Sequence, residues 1–193
     1  MKNPMVKAYT KWWRKYLKVC PPLISDWVKK EIIYLSKNIK KGSIILDVGC
    51  GWGDDIKSIA SIVRKAVGID NDPGTIRDAK KNFSKLRNVG IFLEDAKKMH
   101  FDNNIFDYVI CFGNTFGNFG RGKYKILKEM KRVVKRDGKI LISVYSEKAL
   151  PKRIEGYVKM GWQIKKIAHD GTVYTIDGLI SEQFSKGKLR EIF

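Results

Sequence analysis

Ile44-Ile45-Leu46-Asp47-Val48-Gly49-Cys50-Gly51-Trp52-Gly53 decides the fold of this chain. Its first five residues are apolar but for Asp47, without the polar alternation of a half-exposed strand, so they read as a strand buried on both faces. Glycines at 49, 51 and 53 then open a turn whose missing side chains let a ligand approach the backbone. Ile56, Ile59, Ala60 and Val63 follow at helical spacing. Strand, glycine turn and helix together form the opening of a βαβ unit.

Outward from that stretch the alternation continues. Ala66–Ile69 reads as a second strand, and Asp72-Pro73 supplies an N-cap and a first-turn proline for a helix with Ile76, Ala79, Phe83 and Leu86 on its apolar face. Gly90–Leu93 and Tyr108–Phe112 read as the third and fourth strands. Tyr124–Val134 reads as a helix stopped at Asp137-Gly138, and Lys139–Tyr145 as the fifth strand. Strands alternating with helices predict an α/β fold with a doubly wound, mostly parallel sheet. Ahead of it, Val6, Tyr9, Trp12, Trp13, Tyr16 and Leu17 fit one amphipathic helix, and Ile24, Trp27, Val28, Ile32 and Leu35, after Pro21-Pro22, fit another. Behind it, Ala149–Val158 fits a helix. Gln163–Ala168 and Thr172–Ile176 fit an antiparallel hairpin turning at His169-Asp170-Gly171, and Leu189–Phe193 opens a last helix. The expected organisation is one domain over 1–193: a helical lid or cap at 1–41, a ligand-binding core at 42–145 and a C-terminal helix and hairpin at 146–193.

In an open parallel sheet the ligand sits beyond the carboxyl ends of the strands, and the polar residues of interest fall at those ends. Strand one leads into the glycine turn with Asp47. Strand two ends at Asp70, suited to accept the hydroxyl protons of a ribose, followed by Asn71. Strand three ends at Glu94-Asp95-Ala96, a carboxylate for the exocyclic amine of a base. Strand four ends at Phe112-Gly113-Asn114-Thr115-Phe116-Gly117-Asn118-Phe119.

Residues 44–145 resemble the core of the class I S-adenosylmethionine-dependent methyltransferases. Ile45–Gly53 matches that family's first motif, Val67-Gly68-Ile69-Asp70 its second, Asp95-Ala96 its adenine-contacting position, and Phe106-Asp107-Tyr108-Val109 with Gly113-Asn114 its fourth. The resemblance implies a Rossmann-like methyltransferase fold with S-adenosylmethionine as cofactor. Gly49, Cys50, Gly51 and Gly53 would underlie its methionine part, and Asp47 would organise the turn or reach the amino group. Asp70 would hold the ribose hydroxyls, with Asn71, Asp95 and Ala96 at the adenine and Phe112 and Gly113 completing the site. Gly113-Asn114-Thr115-Phe116 is similar to the corresponding stretch of glycine N-methyltransferase and related small-molecule enzymes, which implies Asn114, Phe116 and Asn118 around an acceptor, with Tyr9 of the N-terminal helix a further pocket candidate. The Asn/Asp-Pro-Pro-Tyr/Phe sequence usual in enzymes that methylate exocyclic base amines is missing.

A dinucleotide fingerprint needs its third glycine at position 54, which is Asp54, followed by Asp55. Two carboxylates at a helix N-terminus would repel a pyrophosphate, whereas a sulfonium tolerates them. Methyl transfer requires positioning, about 3–3.5 Å between reacting atoms, and exclusion of water. No dedicated base is mandatory, and neither His100 nor His169 is expected to be catalytic.

The formal net charge is +19, distributed as a surplus of 9, 0 and 10 positive charges over residues 1–41, 42–120 and 121–193. A neutral centre with basic flanks is compatible with a polyanionic partner such as nucleic acid, and equally with lysine-rich composition as such. Tyr9, Trp12, Trp13 and Tyr16 suit packed core, a lid over the cofactor or, beside Lys11, Arg14, Lys15 and Lys18, stacking on single-stranded RNA. Two readings of the acceptor therefore stand: nitrogen or oxygen of a small molecule, or RNA or protein held by the basic flanks. A non-enzymatic cofactor-binding subunit is a third reading of the chain. Cys20, Cys50 and Cys111 form neither a disulfide framework nor a metal pair, and no metal site is expected. Neither a signal-peptide core nor a membrane span is present, so a cytoplasmic protein is expected. The hairpin either completes the sheet or forms a separate lid; the second would leave an open sheet edge that favours a homodimer.

Overall fold

The structure, a computed structural model, describes residues 22–193. The expected first helix, with Tyr9, the other N-terminal aromatics and Cys20, lies outside the described residues. The elements run α1 (Pro22–Asn38), β1 (Ile44–Val48), α2 (Asp54–Ile59), β2 (Lys65–Asp70), α3 (Pro73–Asn82), β3 (Val89–Leu93), β4 (Phe106–Cys111) and α4 (Thr115–Asn118). There follow α5 (Lys123–Val133), β5 (Val134–Ile142), α6 (Leu150–Lys159), β6 (Ile164–Ile167), β7 (Val173–Thr175), β8 (Ile180–Ser181) and α7 (Lys186–Ile192). They divide between two compact units, one of Lys29–Phe112 with Arg121–Ile142, the other of the remaining described residues, including Gly113–Gly120 and Ser143–Phe193.

The first unit is built on a five-stranded parallel sheet in the order β3-β2-β1-β4-β5. Successive strand residues face opposite sides, and both sides are buried. One side joins Ile45, Ala66, Ile91, Tyr108 and Ile110 to Leu35, Ile56, Ile59, Ile76, Ala79 and Phe83 in a single core. Leu46, Val67, Ile69, Val109 and Cys111 point the other way and are buried too. This is why the strands read as continuous apolar runs. α3 begins as its sequence predicts: Asp72 accepts hydrogen bonds from the Gly74 and Thr75 amides, with Pro73 in the first turn. α2 is shorter than the run of apolar residues suggested, ending at Ile59, yet Ala60 and Val63 are buried in the turn beyond it.

The fifth strand differs from expectation. It starts at Val134 and ends at Ile142, because Asp137-Gly138 lies in a bulge rather than a turn. Val134 pairs with Phe106 and Lys139 with Tyr108, so the single residue Asp107 faces the four residues 135–138. Asp107 pins the bulge. Its carboxylate accepts from the Ile44 amide at 2.7 Å and from Lys135 Nζ at 2.6 Å. Burial pushes its pKa up, but the Ile44 amide and the Lys135 ammonium outweigh this and hold it below the usual range. Gly138 allows the close approach, since a Cβ there would fall 2.7 Å from Val134 Cγ2 and 3.0 Å from the Asp107 carbonyl.

In the second unit the hairpin predicted at 163–176 forms as β6 and β7, closed at Ala168–Thr172. β8 adds to it, giving a separate three-stranded antiparallel sheet in the order β6-β7-β8. The hairpin therefore belongs to its own sheet rather than completing the parallel one. Its core gathers Tyr145, Tyr157, Met160, Trp162, Val173 and Leu179, with Trp27 tilted against the Tyr145 ring at 4.7 Å between centroids.

Candidate functional site

β1 and β4 are neighbours at the switch point of the sheet, where connections leave in opposite directions and a crevice opens beyond the strand ends. The glycine turn leaves β1 there. Gly49, Gly51 and Gly53 have φ of 76°, 54° and 82°, the left-handed region that a side chain disfavours. They serve different ends. A Cβ on Gly53 would sit 2.3 Å from the Phe83 ring, so that glycine is required by packing, whereas nothing lies within 4 Å of the equivalent point on Gly51. Gly53→Ala is expected to cost about 2–4 kcal/mol, the left-handed conformation and overpacking together, read as a lowered denaturation midpoint. Gly51→Ala should lose only the conformational part.

The amides of the turn are already engaged. Gly49 N and Cys50 N both donate to the Ile69 carbonyl, at 2.8 and 3.0 Å, and Gly51 N donates to Asp70 Oδ2 at 3.1 Å. This turn does not hold out a nest of free N–H groups as phosphate-binding loops do. The open space over Gly51 is a place for contact with backbone and carboxylates.

Carboxylates dominate the electrostatics. Asp47 is 1 % exposed, and its Oδ2 is buried with no hydrogen-bond partner. Burial, and then the charges of Asp55, Asp70 and Asp54, push its pKa well above the ordinary range. Burial, with Glu31 and Asp54, raises Asp55 to about 7. Burial also raises Asp70, although the amides of Asp72 and Gly51 partly counter it. Acids that raise one another across one turn mark a place prepared for a positive charge. The Cys50 thiol is buried in the core, and burial followed by Asp47 and Asp70 pushes its pKa up, so it is an inert packing group.

Of the other expected site residues, Asn71 is exposed just beyond Asp70, and Asp95 and Ala96 follow β3, with Asp95 Oδ1 accepting from Lys97 N at 2.9 Å. Phe112 is buried in the apolar core, which leaves its backbone for any ligand. His100 binds Glu94 through its amide and ring nitrogen and is exposed. Asp70 is half-buried at the end of β2. Its two oxygens tie Gly51 N and Asp72 N (3.1 and 3.0 Å), joining the turn after β1 to that after β2.

The second unit holds a small recess with room for about one water molecule, lined by Gly113, Asn114, Asn118, Tyr145, Tyr157, Trp162, Leu179 and Ser181. Asn114 and Asn118, expected around an acceptor, both line it, and the Asn114 amide is committed internally. In the left-handed conformation (φ 59°), its Oδ1 accepts from Tyr145 N at 2.9 Å, and the two hydrogens of its Nδ2 are shared among Ser181 Oγ at 3.2 Å, the Glu182 carbonyl at 3.3 Å and Asn118 Oδ1 at 3.4 Å. It braces the recess. Phe116, expected at the acceptor, is fully buried against the rings of Phe119, Phe184 and Phe193 and does not line it. Helical geometry turns residue 116 away from the face shared by 114 and 118. Tyr145, Tyr157, Trp162 and Ser181 were not anticipated, and no short-range signal marks them. Among the described residues no group of three or more His, Cys, Asp or Glu could hold a metal, and no helix is long and apolar enough to cross a membrane.

Residues 45–138 match the family model described as a methyltransferase domain. Over 97% of its length the chain is 30% identical to the uncharacterized protein MJ1252 of Methanocaldococcus jannaschii, covering 67% of that protein. It is 31% identical to the demethylmenaquinone methyltransferase of Staphylococcus carnosus over 68% of the chain, and spans about half (54%) of that enzyme's length. Among solved structures, the DhpI–SAH complex superposes with a TM-score of 0.68 at 14% identity, covering 97% of this chain and 83% of that one, which shows a shared fold.

Proposed function

Because the chain belongs to the class I S-adenosylmethionine-dependent methyltransferases, we propose that it binds this cofactor at the acid-lined turn after β1 and methylates nitrogen or oxygen of a small molecule. The observation that carries the cofactor's place is the buried, unpartnered Asp47 Oδ2 among Asp54, Asp55 and Asp70. The cofactor brings two positive charges, an α-ammonium and a sulfonium, and no phosphate, so the donor set fits it and fits a dinucleotide badly. In this reading Gly49, Cys50, Gly51 and Gly53 lie beneath its methionine part and Asp47 faces the ammonium. Asp70 holds the ribose hydroxyls with the lone pairs that Gly51 N and Asp72 N leave over, Asn71, Asp95 and Ala96 lie at the adenine, and Phe112 and Gly113 complete the site. When bound, the cofactor supplies a methyl group already activated by its sulfonium. The chain's own contribution is to orient an acceptor with a free lone pair and keep water away.

A small-molecule acceptor is supported by the staphylococcal relative's name, a demethylmenaquinone methyltransferase. An acceptor held by the basic flanks instead would bind with steep salt dependence.

Calorimetric titration with S-adenosylmethionine and with NAD tests the reading. Asp55 also sets a pH dependence. Its pKa rises from 3.8 to about 7 on folding, so the unliganded protein should lose stability as pH climbs through that window. The cofactor's cation reverses the preference. Its affinity should strengthen several-fold between about pH 6 and pH 8, and the rise in melting temperature on its addition should grow over the same range. NAD binding with none for S-adenosylmethionine would reject the cofactor.

A further inference from the structure

The parallel sheet of the first unit has two outer edges, and with the hairpin in its own sheet no described strand pairs with either. They are unlike. The β5 edge carries Lys135, Arg136, Asp137 and Lys139 and is bent by the bulge opposite Asp107, the devices by which proteins keep an open edge from pairing. The β3 edge has neither. Val89-Gly90-Ile91-Phe92-Leu93 contains no charge and no proline, and it runs beside β2 in unbroken register. β3 passes to β4 without an intervening helix, so its own connection leaves the face that carries Phe92 uncovered. Phe92 and Leu93 are 46% and 55% exposed.

In a parallel ladder every second residue turns its N–H and C=O toward one neighbour, and the residues between turn theirs the other way. The Asn88 carbonyl accepts from Ala66 N and Glu94 N donates to the Asp70 carbonyl, both at 2.9 Å, so the even-numbered residues face β2. Val89, Ile91 and Leu93 therefore hold their amides and carbonyls out at the edge. A second copy of the strand, turned antiparallel about a two-fold axis at Ile91, meets all of them: Val89 of each copy faces Leu93 of the other, and Ile91 faces Ile91. Slipped by two residues either way, one of the three would fall opposite the end of the other strand.

The side chains agree with this register. It sets the exposed Arg87 of each copy opposite the exposed Asp95 of the other. It also sets Phe92 opposite Gly90. In each copy the Phe92 ring already lies over its own Gly90, where a Cβ would fall 2.8 Å from Phe92 Cε2, so both glycines leave the rings room beside the axis. The edge belongs to the segment 42–120, whose acidic and basic residues balance, so the pairing strands do not add to the chain's charge of +19.

We propose that the chain forms a two-fold homodimer by antiparallel pairing of its β3 edges, which joins two five-stranded sheets into one. The interface is made chiefly by main chain and depends on neither cofactor nor acceptor. A single strand from each copy buries little area, so the affinity should lie in the micromolar range.

Sedimentation velocity of the full chain over a concentration series, with amide hydrogen exchange followed by NMR in the same samples, tests this. A monomer–dimer equilibrium is expected. The amides of Val89, Ile91 and Leu93 should gain protection as concentration rises, while those of Gly90 and Phe92, which face β2, stay protected throughout. Phe92→Lys places a charge beside the axis and should weaken the dimer at least tenfold. Arg87→Glu puts like charges at both ends and should weaken it several-fold. Asp95, placed also at the adenine, is left unaltered. Should Phe92→Lys not fold, Leu93→Lys, at a more exposed position, makes the same comparison. A monomer at every concentration overturns the proposal, whether the three amides exchange freely or are protected throughout by another part of the chain. So does a dimer that is indifferent to the substitutions or leaves the three amides unprotected.

Discussion

Replacing Asp70 with alanine is expected to weaken S-adenosylmethionine binding about a hundredfold or more, since each hydrogen bond from a ribose hydroxyl to a charged carboxylate contributes roughly 1.5–3 kcal/mol. Calorimetry on the variant checks this. The fold should survive but not untouched. Gly51 N and Asp72 N both donate to Asp70, so its removal leaves two amides without their acceptor and loosens the joint between the turns after β1 and β2. A stability loss of about 1–2 kcal/mol should accompany the binding defect. Asp70→Asn keeps one acceptor oxygen but sets its NH2 against the other amide N–H, so at most part of the stability should return while affinity stays low. Unchanged affinity in folded Asp70→Ala would remove the ribose role and leave Asp70 a loop tether.

Asp47→Asn should act in opposite directions on stability and binding. The carboxylate is buried, one oxygen is unpartnered, and burial and neighbouring acids raise its pKa well above the ordinary range. A group raised in this way stabilises the fold at low pH and loses that contribution as pH climbs through its folded value. Neutralising it with an isosteric amide should raise the stability of the unliganded protein by about 1–3 kcal/mol near neutral pH. In a protein of this size that is a melting temperature higher by roughly 3–9 °C. Cofactor affinity should fall tenfold or more, because the buried negative charge that receives the ammonium is gone. A melting temperature that fell instead would make Asp47 a structural bracket of the turn. Such a trade of stability for binding is expected where a site must hold uncompensated charge ready for a ligand.

The parallel-sheet unit was legible because its signals are local. Asp72-Pro73 caps α3 through amides two and three residues away, and the glycine turn follows β1 directly. Residue types at strand ends were enough to place Asp47, Asp70 and Asp95 at one edge of the sheet. Where contacts are non-local, the reading failed. Asp137-Gly138 has the composition of a turn, yet it sits within β5, since pairing with β4 and the Asp107–Lys135 bond hold a bulge there. Asp107 itself, part of the fourth motif, proves to be a tie between β1, β4 and β5.

Arg153 shows the limit most sharply. In Leu150–Lys159 it reads as one more cation on a helix of a lysine-rich chain, and nothing within four residues distinguishes it from Lys152. Its burial depends on Tyr145, Ser181 and Gln183, and its partners on the two last, 28 and 30 residues further along. The sequence alone determined the order of strands and helices, the acid-lined turn and the cofactor chemistry, because chain order and short-range spacing carry that information. Tertiary structure alone decided which polar groups near Asn114 and Tyr157 are satisfied and by which partners. That balance is settled by partners brought together from distant parts of the chain, and no local pattern records it.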